Sequence, residues 1–268
     1  MSEGLKPTFP NFAGKHAEAS MFSPQDFLAY AREHRGASGS VPVNVIMCYS
    51  PWLGNHVAAL ADAEILSTPT AGTFHVLGET NGQVGVAAGF GIGAPAASTV
   101  LEELIACGAR KIISIGAAGT LQRGVEIGET MLCTAAIRDE GVSHHYLEPG
   151  QLAHPSAALT QRLGTTLSRA GIEYKEGTAW TIDAPYRETV AEAHLYQSQG
   201  VLAVEMEAAA LFAIAIYREV EAAAAFIASD SLAELTWAPR FGAPEVRQGL
   251  ERLLRATIKA LLPEQDGG

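Results

Sequence analysis

"VEMEAAALFAIAIYREVEAAAAFIASDS", residues 204–231, is the stretch on which the fold turns. From Ala208 to Ile216 almost every residue is apolar, which predicts a helix buried on all sides rather than one with a wet face. Glu205 and Glu207 stand at its entrance with Met206 between them, and a second apolar run, 222–229, ends on Ser229-Asp230. A continuous apolar run of that length reads as a strand covered on both faces. A buried helix followed by a buried strand calls for an α/β architecture.

The flanking sequence agrees. "VNVIMCY" (43–49), "QVGVAAG" (83–89), "KIISIG" (111–116), "ETMLCTAAI" (129–137), "GTAWTI" (177–182) and "GVLAV" (200–204) read as further strands. Helical spacing marks 23–34, opened by Ser23-Pro24, then 98–108, stopped by Gly108, and 243–262. The expectation is one domain over 1–268 with an irregular segment at 1–22, and helices on both faces of a mostly parallel or mixed sheet.

Composition narrows the function. The chain has 268 residues, 48% of them hydrophobic, enough for a substantial core, and its net charge of −11 argues against nucleic acid or an anionic membrane surface as partner. Cys48, Cys107 and Cys133 sit in apolar contexts without a CxxC, which reads as reduced, buried thiols. The longest apolar run, ending at Tyr217, is too short to span a bilayer, and "MSEGLKPTFP" lacks a signal pattern. A cytoplasmic protein is expected.

In such a sheet ligands gather beyond the carboxyl ends of the strands. After 83–89 comes "GFGIGAP", whose Gly91 and Gly93 allow positive φ and let a ligand approach backbone amides at a helix start. It is not a dinucleotide fingerprint, because the third glycine spacing is wrong and the next strand ends without an acid. "GAAGTL" after 111–116 offers a second stretch of approachable backbone. If Glu205 and Glu207 were both helical they would point about 200° apart, one to solvent and one to the cleft. A carboxylate in the cleft can accept both hydrogen bonds of a vicinal diol; the plainer alternative is that both complement the helix dipole. Asp230 is either an N-cap or a general acid, and an unperturbed value of about 3.9 is too low for the second role unless burial raises it. His144-His145 lacks a third ligand at useful spacing, so no metal is expected, and no cofactor. No G-x-S-x-G elbow appears.

Four of these segments, in order over most of 40–232, together resemble the nucleoside phosphorylase superfamily of the purine nucleoside and uridine phosphorylase type, related nucleosidases included. They are "GFGIGAPAASTVLEELIACGARKIISIGAAGTLQRGVEIGE", "IRDEGVSHHY", "VEMEAAALFAIA" and "ASDS". The resemblance implies a three-layer α/β sandwich around a mixed, partly barrel-like sheet, and cleavage of an N-glycosidic bond through an oxocarbenium-like sugar. It implies that Met206 and Glu207, with Glu205, bind ribose and that Asp230 protonates or hydrogen-bonds N7 of a purine. It sets Ala118 and Gly119, with Tyr186 and Arg187 of "TIDAPYRET", around the base; the last two read equally well as surface loop residues. Gly91, Gly93, Ser114 and Ala117 surround the phosphate or water. A homo-oligomer, a dimer or a trimer of dimers, is implied as well, with Phe9, Phe12 and His16 candidates for loan to a neighbour.

The chain departs from that family at the phosphate. Ser114 stands where an arginine belongs, "CYSPWLGNHV" lacks the expected Asp and Arg, and "STPTAGTFHV" contains no Arg. Dianionic phosphate favours charge-assisted donors, so the lean is to hydrolysis, or to a non-standard phosphate site using Arg123, Arg138 or His56. An ordinary phosphorylase and a non-catalytic nucleoside-binding protein remain the alternatives.

Overall fold

A computed structural model describes residues 9–12, 14–36, 40–60 and 63–263. Residues 1–8 and 13 of the N-terminal segment, and 37–39 of the loop after the first helix, lie outside the described residues. In chain order the elements are α1 (Pro24–Arg35), β1 (Asn44–Cys48), α2 (Pro51–Ala58), β2 (Ala63–Leu66), β3 (Thr73–Leu77), β4 (Val84–Ala88), α3 (Ala94–Ala106), β5 (Lys111–Thr120), β6 (Thr130–Asp139), β7 (Leu152–Ala153), α4 (Ala157–Arg169), β8 (Tyr174–Ile182), α5 (Val190–Ser198), β9 (Ala203–Glu205), α6 (Ala208–Tyr217), β10 (Glu221–Ser231), β11 (Ala238–Pro239) and α7 (Pro244–Leu261).

The strands form one mixed sheet whose middle closes on itself. β5 pairs with β10, β10 with β6, β6 with β8, β8 with β9, and β9 returns to β5, so five strands make a small barrel. From β5 the sheet continues outward through β1, β4, β3 and β2. Closure demands small side chains where strands crowd, and Ala222–Ala225 and Ala228 of β10 supply them, all buried.

Helices cover both faces. α2, α4 and α7 bury Leu53, Leu163 and Leu253 against one side, and α1, α3 and α6 bury Leu28, Leu101 and Ile214 on the other. α7 is the clearest local case: Val246, Leu250, Leu253, Leu254 and Leu261 fall on one helical stripe and are buried. Each fully buried leucine there contributes about 2 kcal/mol. α6 is buried over Ala208–Ala215, as its composition predicts, because it lies between α3 and the inner strands. The Ser23 start of α1 is a capping box with Asp26.

Four corrections follow. The strand expected at 111–116 runs on to Thr120, because β10 and β9 keep pairing with it through Ala117–Thr120; the "GAAGT" stretch is strand, not loop. The helix expected to begin at 98 begins at Ala94, where Pro95 at its first turn needs no amide partner. Asp230 lies inside β10, which continues to Ser231 because β5 and β11 still pair there. Glu205 and Glu207 do not share a helix: Glu205 ends β9 and Glu207 is the N-cap of α6. Beyond the expected elements, α2, β2, β3, α4 and α5 complete the layers.

Candidate active site

A cavity of about 600 Å³ opens where β5, β9 and β10 meet the ends of β1 and α7. Ala117, Ala118 and Gly119 of β5 form one flat wall. Gly119 has to be glycine: a Cβ there would come within 2.8 Å of Leu232 Cδ1 and 3.0 Å of both Asp230 Oδ2 and Val204 Cγ1. The wall is bare backbone because the neighbouring strands leave no room for more.

β10 carries a register shift between Ala228 and Asp230, so Ser229 is an extra residue in the ladder with β5. Such a bulge re-aims the side chain that follows. Asp230 is buried, 6% exposed, and lines the cavity with both oxygens engaged: Ser229 Oγ donates to Oδ1 at 2.7 Å and Trp237 Nε1 donates to Oδ2 at 3.0 Å. Burial raises its carboxyl above the ordinary value, while those two donors pull it back.

Glu205 and Glu207 also line the cavity, at 5% and 7% exposure. The expectation that one of them is solvated is therefore overturned; leaving a strand and entering a helix turns both inward. Glu205 Oε2 accepts the Glu207 and Ala208 amides, each at 2.8 Å, and its Oε1 accepts the Thr181 hydroxyl. Glu205 thus caps the start of α6. Glu207 Oε1 accepts the Gly93 amide at 2.5 Å, tying the glycine loop to the start of α6. Burial raises both carboxyls, and for Glu207 the neighbouring Glu205 charge adds to it.

The structure therefore brings Ala117, Ala118, Gly119, Glu205, Met206, Glu207 and Asp230 to one cavity. Gly91 and Gly93 have φ of 97° and 93° and hold the loop behind it, and their neighbour Ile92 is the loop's lining residue. Ser114 is buried beneath the floor and donates to Tyr49 Oη at 3.2 Å; Tyr49, not Ser114, lines the space. Tyr186 is fully exposed, at 100%, and neither it nor Arg187 is among the lining residues; the short helical turn Pro185–Arg187 directs Pro185 and Glu188 inward instead. The proposed phosphate substitutes do not reach either. Arg123 pairs with Glu234, Arg138 is spent on Ser143 Oγ and the Leu147 and Glu148 carbonyls, and His56 stacks on Trp52 near Glu251. Phe9 packs edge-on against His144, Phe12 is exposed, and His16 lies 3.9 Å from Glu148.

Sequence reasoning missed Tyr49, Trp52, Glu188, Phe241 and Arg247, all lining residues. Tyr49 was findable, since it directly follows a buried strand. Glu188 and Arg247 carried no local signal. Burial raises the Glu188 carboxyl to about 7, and the Asp230 charge beside it adds to that. Among the described residues no cluster of three or more His, Cys, Asp or Glu side chains is arranged to hold a metal ion. Nor is any helix among them long and apolar enough to cross a membrane.

Comparison with known proteins points one way. The family described as the phosphorylase superfamily matches residues 44–259. A purine nucleoside phosphorylase of the DeoD type from Caldanaerobacter subterraneus is 30% identical over 205 residues, spanning 74% of this chain and 88% of that protein. A uridine phosphorylase from Haemophilus influenzae is 31% identical over 153 residues, 51% of this chain and 60% of that one. Among solved structures, the purine nucleoside phosphorylase from Toxoplasma gondii in complex with immucillin-H superposes with a TM-score of 0.74 at 22% identity, covering 84% of this chain and 92% of that one. At that identity the likeness speaks for the fold.

Proposed function

The chain belongs to the phosphorylase superfamily, and from the cavity it builds we propose that it cleaves the N-glycosidic bond of a purine nucleoside and releases the free base. The observation that carries this is the convergence of Glu207 and Asp230 on one cavity, with Met206 beside the glycine loop. Glu207 takes the ribose hydroxyls. The base lies on the bare backbone of Ala118 and Gly119, with N7 toward Asp230. Glu188 adds a second carboxylate at the base end, which suits a purine whose far edge presents ring N–H and exocyclic N–H donors.

In the reaction the C1′–N9 bond breaks and its electron pair stays with the base. Asp230 passes a proton to N7, so the base leaves neutral, a step worth roughly a hundred- to ten-thousand-fold. The oxocarbenium-like sugar then takes an oxygen at C1′ from water or hydrogen phosphate, and the proton that oxygen nucleophile sheds restores Asp230. Two observations bear on whose oxygen. Water is favoured by the floor, where the neutral Tyr49, held from beneath by Ser114, lines the space and the Gly93 amide is already bound to Glu207. Phosphate is favoured by the activity named for the relatives, with Arg247 as the cationic side chain lining the cavity among the described residues.

A panel of purine and pyrimidine nucleosides, with and without phosphate, tests all of this. Base release from purines without phosphate is the expected result. Release that requires phosphate moves the reaction to phosphorolysis. Binding without release from any nucleoside overturns the catalytic reading in favour of a nucleoside-binding protein. The same superfamily likeness implies a homo-oligomer, which sedimentation of the purified protein measures directly.

A further inference from the structure

The segment after β10 does something the strand alone does not require. From Leu232 the chain turns tightly, with Leu235 at a φ of 54° and its amide bonded to the Leu232 carbonyl at 2.8 Å. It then returns as β11, pairing Pro239 with Asp230 and Ala238 with Ser231, and the Arg240 amide donates to the Ser229 carbonyl at 2.9 Å. The turn delivers Trp237 onto Asp230. The indole is 60% exposed and rests beside Phe241, yet its N–H reaches the buried Asp230 Oδ2. That oxygen is also the one nearest Gly119, so it faces the wall on which the base lies. A large aromatic ring left mostly in solvent gains little from burial here; what it gains is that hydrogen bond.

We infer that Trp237 is a positioning residue for the reaction: its indole N–H holds the Asp230 oxygen that faces the base and steadies the carboxylate left when the proton has passed to the base. This rests on the proposed role of Asp230. An oxygen has two lone pairs, so Oδ2 can keep the indole while it serves N7. The bond strengthens as charge develops on the carboxylate, which is the condition for lowering a barrier rather than merely binding. Other charged or titratable groups line the cavity with Asp230. Glu188 comes from the segment after β8, Glu205 and Glu207 from the β9–α6 junction, and Arg247 from α7. Arg240 and the Arg123–Glu234 pair border the returning turn. β5 presents only backbone and small side chains.

Two measurements test it. The first needs no substrate. The three tryptophans are Trp52, Trp180 and Trp237, and Trp180 is bonded to Asp139 at 2.8 Å, so it serves as an internal reference. In a pH titration of the indole N–H resonances, the signal lost in Trp237→Phe should show a step that Asp230→Asn abolishes, while the Trp180 signal, held by Asp139, follows the same course with and without Asp230→Asn. Absence of that step overturns the inference. The second is the pH profile of kcat for base release. Trp237→Phe keeps the ring beside Phe241 and removes the N–H. It should move the alkaline limb upward by about one pH unit, the worth of one hydrogen bond to a charged group, and lower the plateau below it. Trp237→Ala should give the same limb. A Trp237→Phe profile that overlays wild type, with only Trp237→Ala impaired, means the ring acts as a cover, and the inference fails. If the wild-type protein cleaves no nucleoside while the indole step persists, the reaction reading fails and the Trp237–Asp230 coupling stands.

Discussion

The two walls of the cavity are built differently. One is made of Ala117–Gly119, Val204–Glu207 and Ser229–Asp230, nearly all of it buried. Except for Met206 and Glu207, which open α6, these residues lie in strands of the closed barrel, with a hydrogen-bonded neighbour on each side. The other wall is made of Tyr49 to Trp52, Phe241, Val246, Arg247 and Leu250, drawn from a strand exit, a loop and the first turns of helices. Its Phe241 and Arg247 are exposed. On the proposed reading, the first wall holds the groups whose protons and hydrogen bonds must sit in fixed places. The second offers apolar area and one cation, Arg247, where small displacements would cost less. The proposed proton donor thus sits where the ladder over-determines it, and the contacts proposed to tune affinity sit where the chain is free to vary.

The largest test of that division is Asp230→Ala. Base release should fall on the order of a hundred- to ten-thousand-fold in kcat, while the melting temperature stays close to wild type, since the ladder and not the carboxylate holds β10. A comparable loss of stability would mean that the wall depends on the charge it carries. Next in size is Glu207→Gln, which keeps the shape and removes an ionisable group. Sugar binding should weaken by up to roughly tenfold, read as kcat/KM, the worth of one hydrogen bond.

A third outcome concerns pH. Glu188, Glu205 and Glu207 all have raised carboxyls in the folded protein. Each keeps a proton where the unfolded chain has lost it. Their contribution to stability is therefore complete below the unfolded value of 4.5 and is lost as pH climbs to about 8. Thermal unfolding should show lower stability at the alkaline end of that window, by on the order of 2 kcal/mol. Glu207→Gln should flatten the slope; an unchanged slope would assign it elsewhere. The smallest effect is expected on the second wall. Phe241→Ala should raise KM about fivefold, near 1 kcal/mol of apolar contact, and leave kcat alone. A fall in kcat instead would place Phe241 with the first wall.

Much of the first wall was legible in the chain. Apolar strands at β1, β4, β5, β6, β8 and β10 announce themselves because burial on both faces leaves no polar alternation to confuse them. Glu207 and Asp230 stood out as charges at the margins of runs that otherwise exclude charge. Their environment was not legible. Whether Glu205 and Glu207 diverge or converge depends on a boundary of one or two residues between β9 and α6, and propensity does not resolve boundaries that finely. The reach of β5 to Thr120 was hidden because small residues signal turns as readily as crowded strands. Tyr186 and Arg187 looked suited to a base by type, yet a single helical turn sends Tyr186 into solvent and puts Glu188 in the cavity.

Read alone, the chain dictated an α/β sheet, an all-round buried α6, and the two carboxylates on which the proposed chemistry rests, because patterns of burial are written in local composition. Only the tertiary structure decided that β5 and β9 close a barrel, that Ser229 bulges to aim Asp230, and that Trp237 comes back from seven residues downstream to hold it. Those facts depend on register between strands far apart in sequence, and a one-residue slip, invisible in composition, turns a side chain from the cavity to the opposite face.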